Sequence, residues 1–188
     1  RSAGMDARTP VRFLKHLVSR QRMLVKDPIA LLSAGWLCET YRFQVVCMIR
    51  HPLAFAGSLK VAGWDFDFEH LRRQERLMEG PLGAFAEEIR LSCEQPGACD
   101  LVDRAALLWN VLHHVILDYR RRYPDWLFVR HEDVAADPVP GFGKIFDYLQ
   151  LDMNSEIKDY IEAYSSRRNP RNATSSVFQP RDSRQVLH

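Results

Sequence analysis

Three short apolar runs, each ended by a charged residue, constrain the fold of this chain more than any other feature. They occupy residues 23–25, 45–49 and 126–129, and they end at Lys26, Arg50 and Arg130. Unbroken runs of this kind are typical of strands buried on both faces of a parallel sheet. Because helical periodicity separates them, the sequence predicts an α/β fold, a three-layer parallel sheet flanked by helices.

Helices are predicted from apolar spacing and from the residues at their ends. The longest, over residues 101–123, carries one apolar stripe. Proline after the second run suits the first turn of a helix, whereas Asp137-Pro138 and Pro140-Gly-Phe-Gly predict a turn. The remaining predicted helices are residues 9–20, 29–41, 70–78, 82–91, 142–149 and 156–164.

Length and composition indicate an ordinary soluble domain. The chain has 188 residues, 46% hydrophobic and 27% charged, with a net charge of +2. One domain over residues 1–188 accounts for this length, with a flexible loop and a truncated last element at 165–188. The small net charge gives no indication of a nucleic-acid partner, and no apolar run approaches the ~20 residues of a membrane span.

The cysteines favour a reducing, cytoplasmic setting, because no CxxC spacing occurs. A lumenal catalytic domain whose anchor has been removed is the alternative location. Cys93 and Cys99 flank a Gln-Pro-Gly turn, so a disulfide between them stays open. His113 and His114 point to different faces of their helix and make a poor metal site, so no metal is predicted.

Cations at the ends of the first two runs predict an anionic ligand. Ligands of open α/β sheets bind at the carboxyl ends of the strands, where Lys26 and Arg50 are expected. The alternatives are a surface lysine at Lys26 and an ion pair of Arg50 with Glu132 or Asp133. The aromatic segment 63–69 is either a loop held by packing or a lid that faces the substrate.

The runs and their flanking residues resemble the sulfotransferase family, whose members move a sulfonate group from 3'-phosphoadenosine 5'-phosphosulfate (PAPS) to a hydroxyl or amine. Arg50 follows the strand, and Ser58 stands eight residues later on the next helix. Lys-Asp-Pro at 26–28 and Trp-Leu-Phe-Val-Arg-His-Glu-Asp at 126–133 match further elements in order. The resemblance covers residues 22–151 and implies a P-loop-NTPase-like fold, incomplete at both ends.

The resemblance also implies residue roles. Arg50 and Ser58 would bind the 3'-phosphate of PAPS, and His131 stands where relatives place a tyrosine against the adenine. Arg181 would belong to a phosphate-contacting loop near the C-terminus. Lys26 would stabilise the leaving group, and Asp27 would serve as the base if burial raised its pKa.

One departure from the family leaves two functions open. The 5'-phosphosulfate loop expected before the first strand is absent from the sequence shown. The first prediction is a sulfotransferase that acts on a carbohydrate or another small acceptor, with PAPS as co-substrate. The alternative is a catalytically incompetent nucleotide-binding or scaffold protein of the same fold. A P-loop kinase ranks last, because no GxxxxGK[ST] is present.

Overall fold

The computed structural model describes residue 22 and residues 24–26, 29–95 and 100–165, within two compact units, Arg1–Ala30 and Leu31–His188. Its regular elements are a 3₁₀ helix Ile29–Ser33, α1 Ala34–Tyr41, β1 Val46–Ile49, α2 Pro52–Ala62, α3 Glu69–Arg72, α4 Glu75–Glu79, a 3₁₀ turn Gly83–Phe85, α5 Ala86–Glu94, α6 Leu101–Arg122, β2 Leu127–Arg130, α7 His131–Ala136, α8 Pro138–Tyr148 and α9 Ser155–Ser165. The predicted helix at 9–20 lies outside the described residues.

The predicted three-layer parallel sheet is wrong. Within the described residues the sheet has only two strands, β1 and β2, which pair in parallel from Val46↔Leu127 to Ile49↔Arg130, and 69% of these residues are helical. The first apolar run forms no strand at residues 24–26, and the side chains of Leu24 and Val25 are 84% and 53% exposed. A short apolar run stabilises a fold as a strand only when its side chains are buried by neighbouring elements, and these two side chains are exposed.

The core forms around α6, whose extent agrees closely with the predicted helix 101–123. Asp100 caps its first turn through a capping box with Asp103. Three arginines occupy its last turn, where their positive charges interact favourably with the negative end of the helix dipole. Its buried stripe packs against side chains of the flanking short helices and of the 63–68 segment. The largest fully buried side chains are Phe68, Leu82, Ile89 and Val111.

The predicted turn at 137–143 is also wrong, since α8 begins at Pro138 and runs through it. Proline suits this position because the first turn of a helix leaves its amide unpaired. Gly141 lets α8 approach α7 closely: a Cβ atom there would lie 2.8 Å from Val134 Cα. This glycine therefore reflects helix packing rather than chain reversal.

The aromatic segment 63–68 is held by packing, the first of its two alternatives. Phe68 is 1% exposed, and the ring of Phe66 meets it edge to face at 5.2 Å between centroids. Arg104 of α6 forms an ion pair with Asp65 and donates a hydrogen bond to the Phe66 carbonyl. In the described part of the chain, no helix is both long and apolar enough to cross a membrane.

Candidate anion-binding site

The carboxyl ends of β1 and β2 bring Arg50 and His131 to one edge of the sheet. The strands are parallel and in register at Ile49↔Arg130, so the residues that follow them lie side by side. His131 opens α7 and is partly buried. Burial lowers the pKa of His131, and the positive charge of Arg50 lowers it further. The imidazole is therefore neutral at pH 7.

The structure brings Arg50 and Ser58 together, as their spacing predicts. Pro52 begins α2 directly after the strand, and Ser58 lies in the second turn of that helix. Arg50 Nη1 donates to Ser58 Oγ at 3.4 Å, and Ser58 Oγ donates to the Phe55 carbonyl at 2.9 Å. The guanidinium is thus held at the start of α2 by a neutral partner, which leaves its charge uncompensated there.

Arg50 does not form the ion pair that the sequence left open. Among the residues that the structure describes, no carboxylate lies within ion-pair distance of its guanidinium. Glu132 instead accepts a hydrogen bond from the His51 amide at 2.8 Å through Oε1. Arg50 Nε is buried and has no hydrogen-bond partner among the described residues. An unpaired buried donor costs about 1–3 kcal/mol, so a ligand that satisfies it would be stabilised.

Glu132 adds a negative charge and a free acceptor atom to this edge. Partial burial raises the pKa of Glu132, but hydrogen bonds from the amides of His51 and of Glu132 itself lower it by more, together with the charge of Arg130 and that of His131, which is protonated at the acidic pH where Glu132 titrates. The carboxylate is therefore ionised at neutral pH. Its Oε2 atom is buried and has no partner in the described part of the chain, so it would accept a hydrogen bond from a ligand N–H or O–H group.

Two α6 residues that sequence reasoning missed adjoin Arg50, Trp109 directly and His113 through Trp109. Trp109 Nε1 donates to the Arg50 carbonyl at 2.8 Å, and the Trp109 ring stacks on that of His113 at 3.7 Å between centroids. His113 Nδ1 lies 2.7 Å from the Trp109 carbonyl. Because a carbonyl only accepts, Nδ1 carries the proton and Nε2 is an acceptor.

His113 Nε2 is a further buried atom for which the described ranges offer no hydrogen-bond partner. Burial lowers the pKa of His113, against the opposing effect of its hydrogen bond to Trp109. The ring is therefore neutral at pH 7, as an acceptor at Nε2 requires. The four-residue spacing of Trp109 and His113 indicates that they share a helix face, but no sequence signal connects that face with Arg50.

The roles predicted for Lys26, Asp27 and Arg181 stay predictions. Lys26 is exposed and belongs to the unit Arg1–Ala30, whereas the cluster belongs to the second unit. Asp27 and Arg181 lie outside the described residues, as does Cys99, so their roles and the Cys93–Cys99 disulfide stay predictions. No group of three or more His, Cys, Asp or Glu side chains in the described ranges is arranged to hold a metal ion.

The cluster combines a cation with acceptors, which defines the chemistry it can perform. Arg50 offers donors in a planar fork that suits phosphate or sulfate oxygens. Glu132 Oε2 and His113 Nε2 offer acceptors to hydroxyl or amino groups. Comparison with protein-family models, with curated proteins and with solved structures finds no match to this chain.

Proposed function

We propose that this chain binds the 3'-phosphate of 3'-phosphoadenosine nucleotides through Arg50 and Ser58, as the donor-binding part of a PAPS-dependent sulfotransferase. One observation carries the proposal. The Arg50 guanidinium lies against Ser58, has no carboxylate partner among the described residues, and keeps a buried Nε–H without an acceptor. A phosphate would supply both the missing negative charge and the missing acceptor.

A neighbouring acceptor favours a nucleotide over a simple inorganic anion. Glu132 Oε2 needs a donor, which a nucleotide supplies through its ribose hydroxyls or its adenine amino group. Inorganic phosphate as the dianion has a single O–H donor and sulfate has none, and either anion would face the negative charge of Glu132. Neutral His131 adds a ring that can stack on a base or bind it by hydrogen bonding.

The proposed reaction transfers a sulfonate group from PAPS to a hydroxyl of a carbohydrate or another small acceptor. The acceptor oxygen attacks sulfur, the bond from sulfur to the 5'-phosphate oxygen breaks, and 3'-phosphoadenosine 5'-phosphate (PAP) leaves. The protein must hold donor and acceptor in line, offset the charge on the departing oxygen, and take up the hydroxyl proton.

The first test compares PAP with adenosine 5'-phosphate, which lacks only the 3'-phosphate. Binding of both nucleotides is measured by isothermal titration calorimetry, and the wild-type chain should prefer PAP. Arg50→Ala removes a charge-assisted contact worth about 1.5–3 kcal/mol, so PAP affinity should fall about 10- to 150-fold. Affinity for adenosine 5'-phosphate should barely change, because that nucleotide does not use the contact.

Arg76→Ala is the matched control, because Arg76 is an exposed arginine of α4 outside the cluster. It removes the same charge and should leave both affinities unchanged. If Arg50→Ala weakens the two nucleotides equally, or leaves PAP binding intact, the assignment of Arg50 to the 3'-phosphate is wrong.

A second test separates transfer from binding alone. PAP release from PAPS is followed with a panel of hydroxylated acceptors. A sulfotransferase gives acceptor-dependent release that Arg50→Ala slows. Tight PAP binding with no release for any acceptor would instead favour the nucleotide-binding protein that the sequence left as the alternative.

A further inference from the structure

A concavity lies on another part of α6, away from the Arg50 cluster. It is formed by α1, the segment 80–84 and the α6 residues from His114 onward, whereas Arg50 meets α6 at Trp109. Its volume is about 630 Å³, which falls within the ~300–1,000 Å³ range of small-molecule sites. The concavity, which we call the α1–α6 groove, has no part in the function proposed above.

The floor of the α1–α6 groove depends on a glycine. A Cβ atom on Gly35 would lie 2.9 Å from Tyr123 Oη and 3.2 Å from Tyr119 Cε1. Without a side chain at Gly35, both tyrosines pack under α1. Tyr123 also stacks on Trp126 at 4.4 Å between centroids, so the floor is a rigid aromatic surface.

Trp36 provides an exposed aromatic wall. Its side chain is 61% exposed although the residue belongs to α1, and Tyr41 meets its ring edge to face at 5.9 Å between centroids. No hydrogen bond of its indole N–H occurs among the described residues. This large ring is exposed, is held by a neighbour and lies beside a concave surface. These features indicate a contact with a ligand rather than a contribution to the folded core.

The charged groups at the rim of the α1–α6 groove are already paired, since Arg122 pairs with Glu39 and Asp118, and Arg121 Nη2 lies 3.6 Å from Asp118 Oδ1. Glu39 Oε1 accepts a hydrogen bond from Tyr123 Oη at 2.5 Å and lies 3.9 Å from Arg122 Nη2. Arg122 Nη1 lies 3.5 Å from Asp118 Oδ2. A charged ligand would have to displace these pairs, whereas a neutral ligand with hydroxyl groups adds hydrogen bonds to them.

We propose that the α1–α6 groove binds a neutral carbohydrate of one or two sugar rings. A pyranose has an apolar face of C–H groups, which would lie on Trp36 over the tyrosine floor, and a rim of hydroxyls that donate to Glu39 and Asp118 and accept from Arg122. A purely apolar ligand would leave those polar groups unused. This proposal does not depend on nucleotide binding by Arg50.

The probes are maltose, cellobiose, lactose and N,N'-diacetylchitobiose, titrated into the full chain and followed by calorimetry and by tryptophan fluorescence. At least one should bind with a dissociation constant in the millimolar range or below. Trp36→Ala should weaken that sugar at least about tenfold, while Trp36→Phe, which keeps an aromatic face, should weaken it less. Circular dichroism checks that both variants fold.

Trp64→Ala is the matched control, since Trp64 is 51% exposed and does not line the groove. It should leave sugar binding unchanged. The proposal is overturned if none of the four sugars binds, if Trp36→Ala binds like the wild type, if Trp64→Ala loses as much, or if adenosine competes for the groove. Trp36→Ala should keep wild-type PAP affinity, so failure of this proposal and failure of the nucleotide site are distinguishable.

Discussion

Replacing Arg104 with alanine should destabilise the chain substantially, because Arg104 holds the aromatic segment against α6. Its Nε donates to Asp65 Oδ1 at 2.9 Å, its Nη2 to the Phe66 carbonyl at 2.8 Å, and its Nη1 to Ser92 Oγ at 3.0 Å. The side chain is only 12% exposed, and Cζ lies 5.4 Å from the centroid of the Phe68 ring. One arginine thus serves three separate partners.

The expected loss follows from what alanine leaves behind. The Phe66 carbonyl and Ser92, which is 4% exposed, lose their donor, and each unsatisfied buried acceptor costs about 1–3 kcal/mol. Asp65, at 51% exposure, recovers its hydration, so its ion pair adds at most about 1 kcal/mol. Water that enters the vacated space reduces the total. We therefore expect the free energy of unfolding to fall by about 2–4 kcal/mol.

Urea unfolding followed by circular dichroism and fluorescence measures this loss. Arg72→Ala is the control, because Arg72 pairs with Glu69 at a position where 49% of its side chain is exposed, and water can replace that pairing. Arg104→Ala should cost several times more than Arg72→Ala. Equal losses would mean that Arg104 does not hold the segment, and the aromatic loop would again be a candidate lid.

Two further predictions concern helix packing and pH. Gly141→Ala should lower the melting temperature, since a Cβ 2.8 Å from Val134 Cα overpacks the contact at a cost of about 1–3 kcal/mol. Gly143→Ala should raise the melting temperature through helix propensity, because the nearest atom there is 4.0 Å away. The reverse order of melting temperatures would contradict the α7–α8 contact. Burial lowers the pKa of both His113 and His131, so below about pH 6.5 the unfolded chain binds more protons than the folded chain, and stability should fall as the pH decreases. Replacing both histidines with glutamine should flatten urea-measured stability between about pH 7 and pH 5, and an unchanged slope would refute this cause.

Sequence patterns were reliable where the structure depends on neighbours along the chain. The apolar stripe of α6 follows from the period of a helix. The contact of Arg50 with Ser58 follows from one strand-to-helix turn. The strand predicted at the first apolar run was wrong, because an apolar run does not reveal whether other elements will cover it. Nor could the Trp109 contact, since 59 residues separate Trp109 from Arg50 and only tertiary packing brings them together.

The predicted sheet was wrong, yet the Arg50–Ser58 pair is observed. The two findings are compatible, because few secondary-structure elements are needed to fix the geometry of that pair. The His51 side chain accepts a hydrogen bond from the Leu53 amide and so caps α2, which fixes the turn between Arg50 and Ser58. Glu132 binds the His51 amide, which connects this turn to the end of β2. Two paired strands and one capped helix therefore suffice to hold the guanidinium, and the number of further strands does not affect its position.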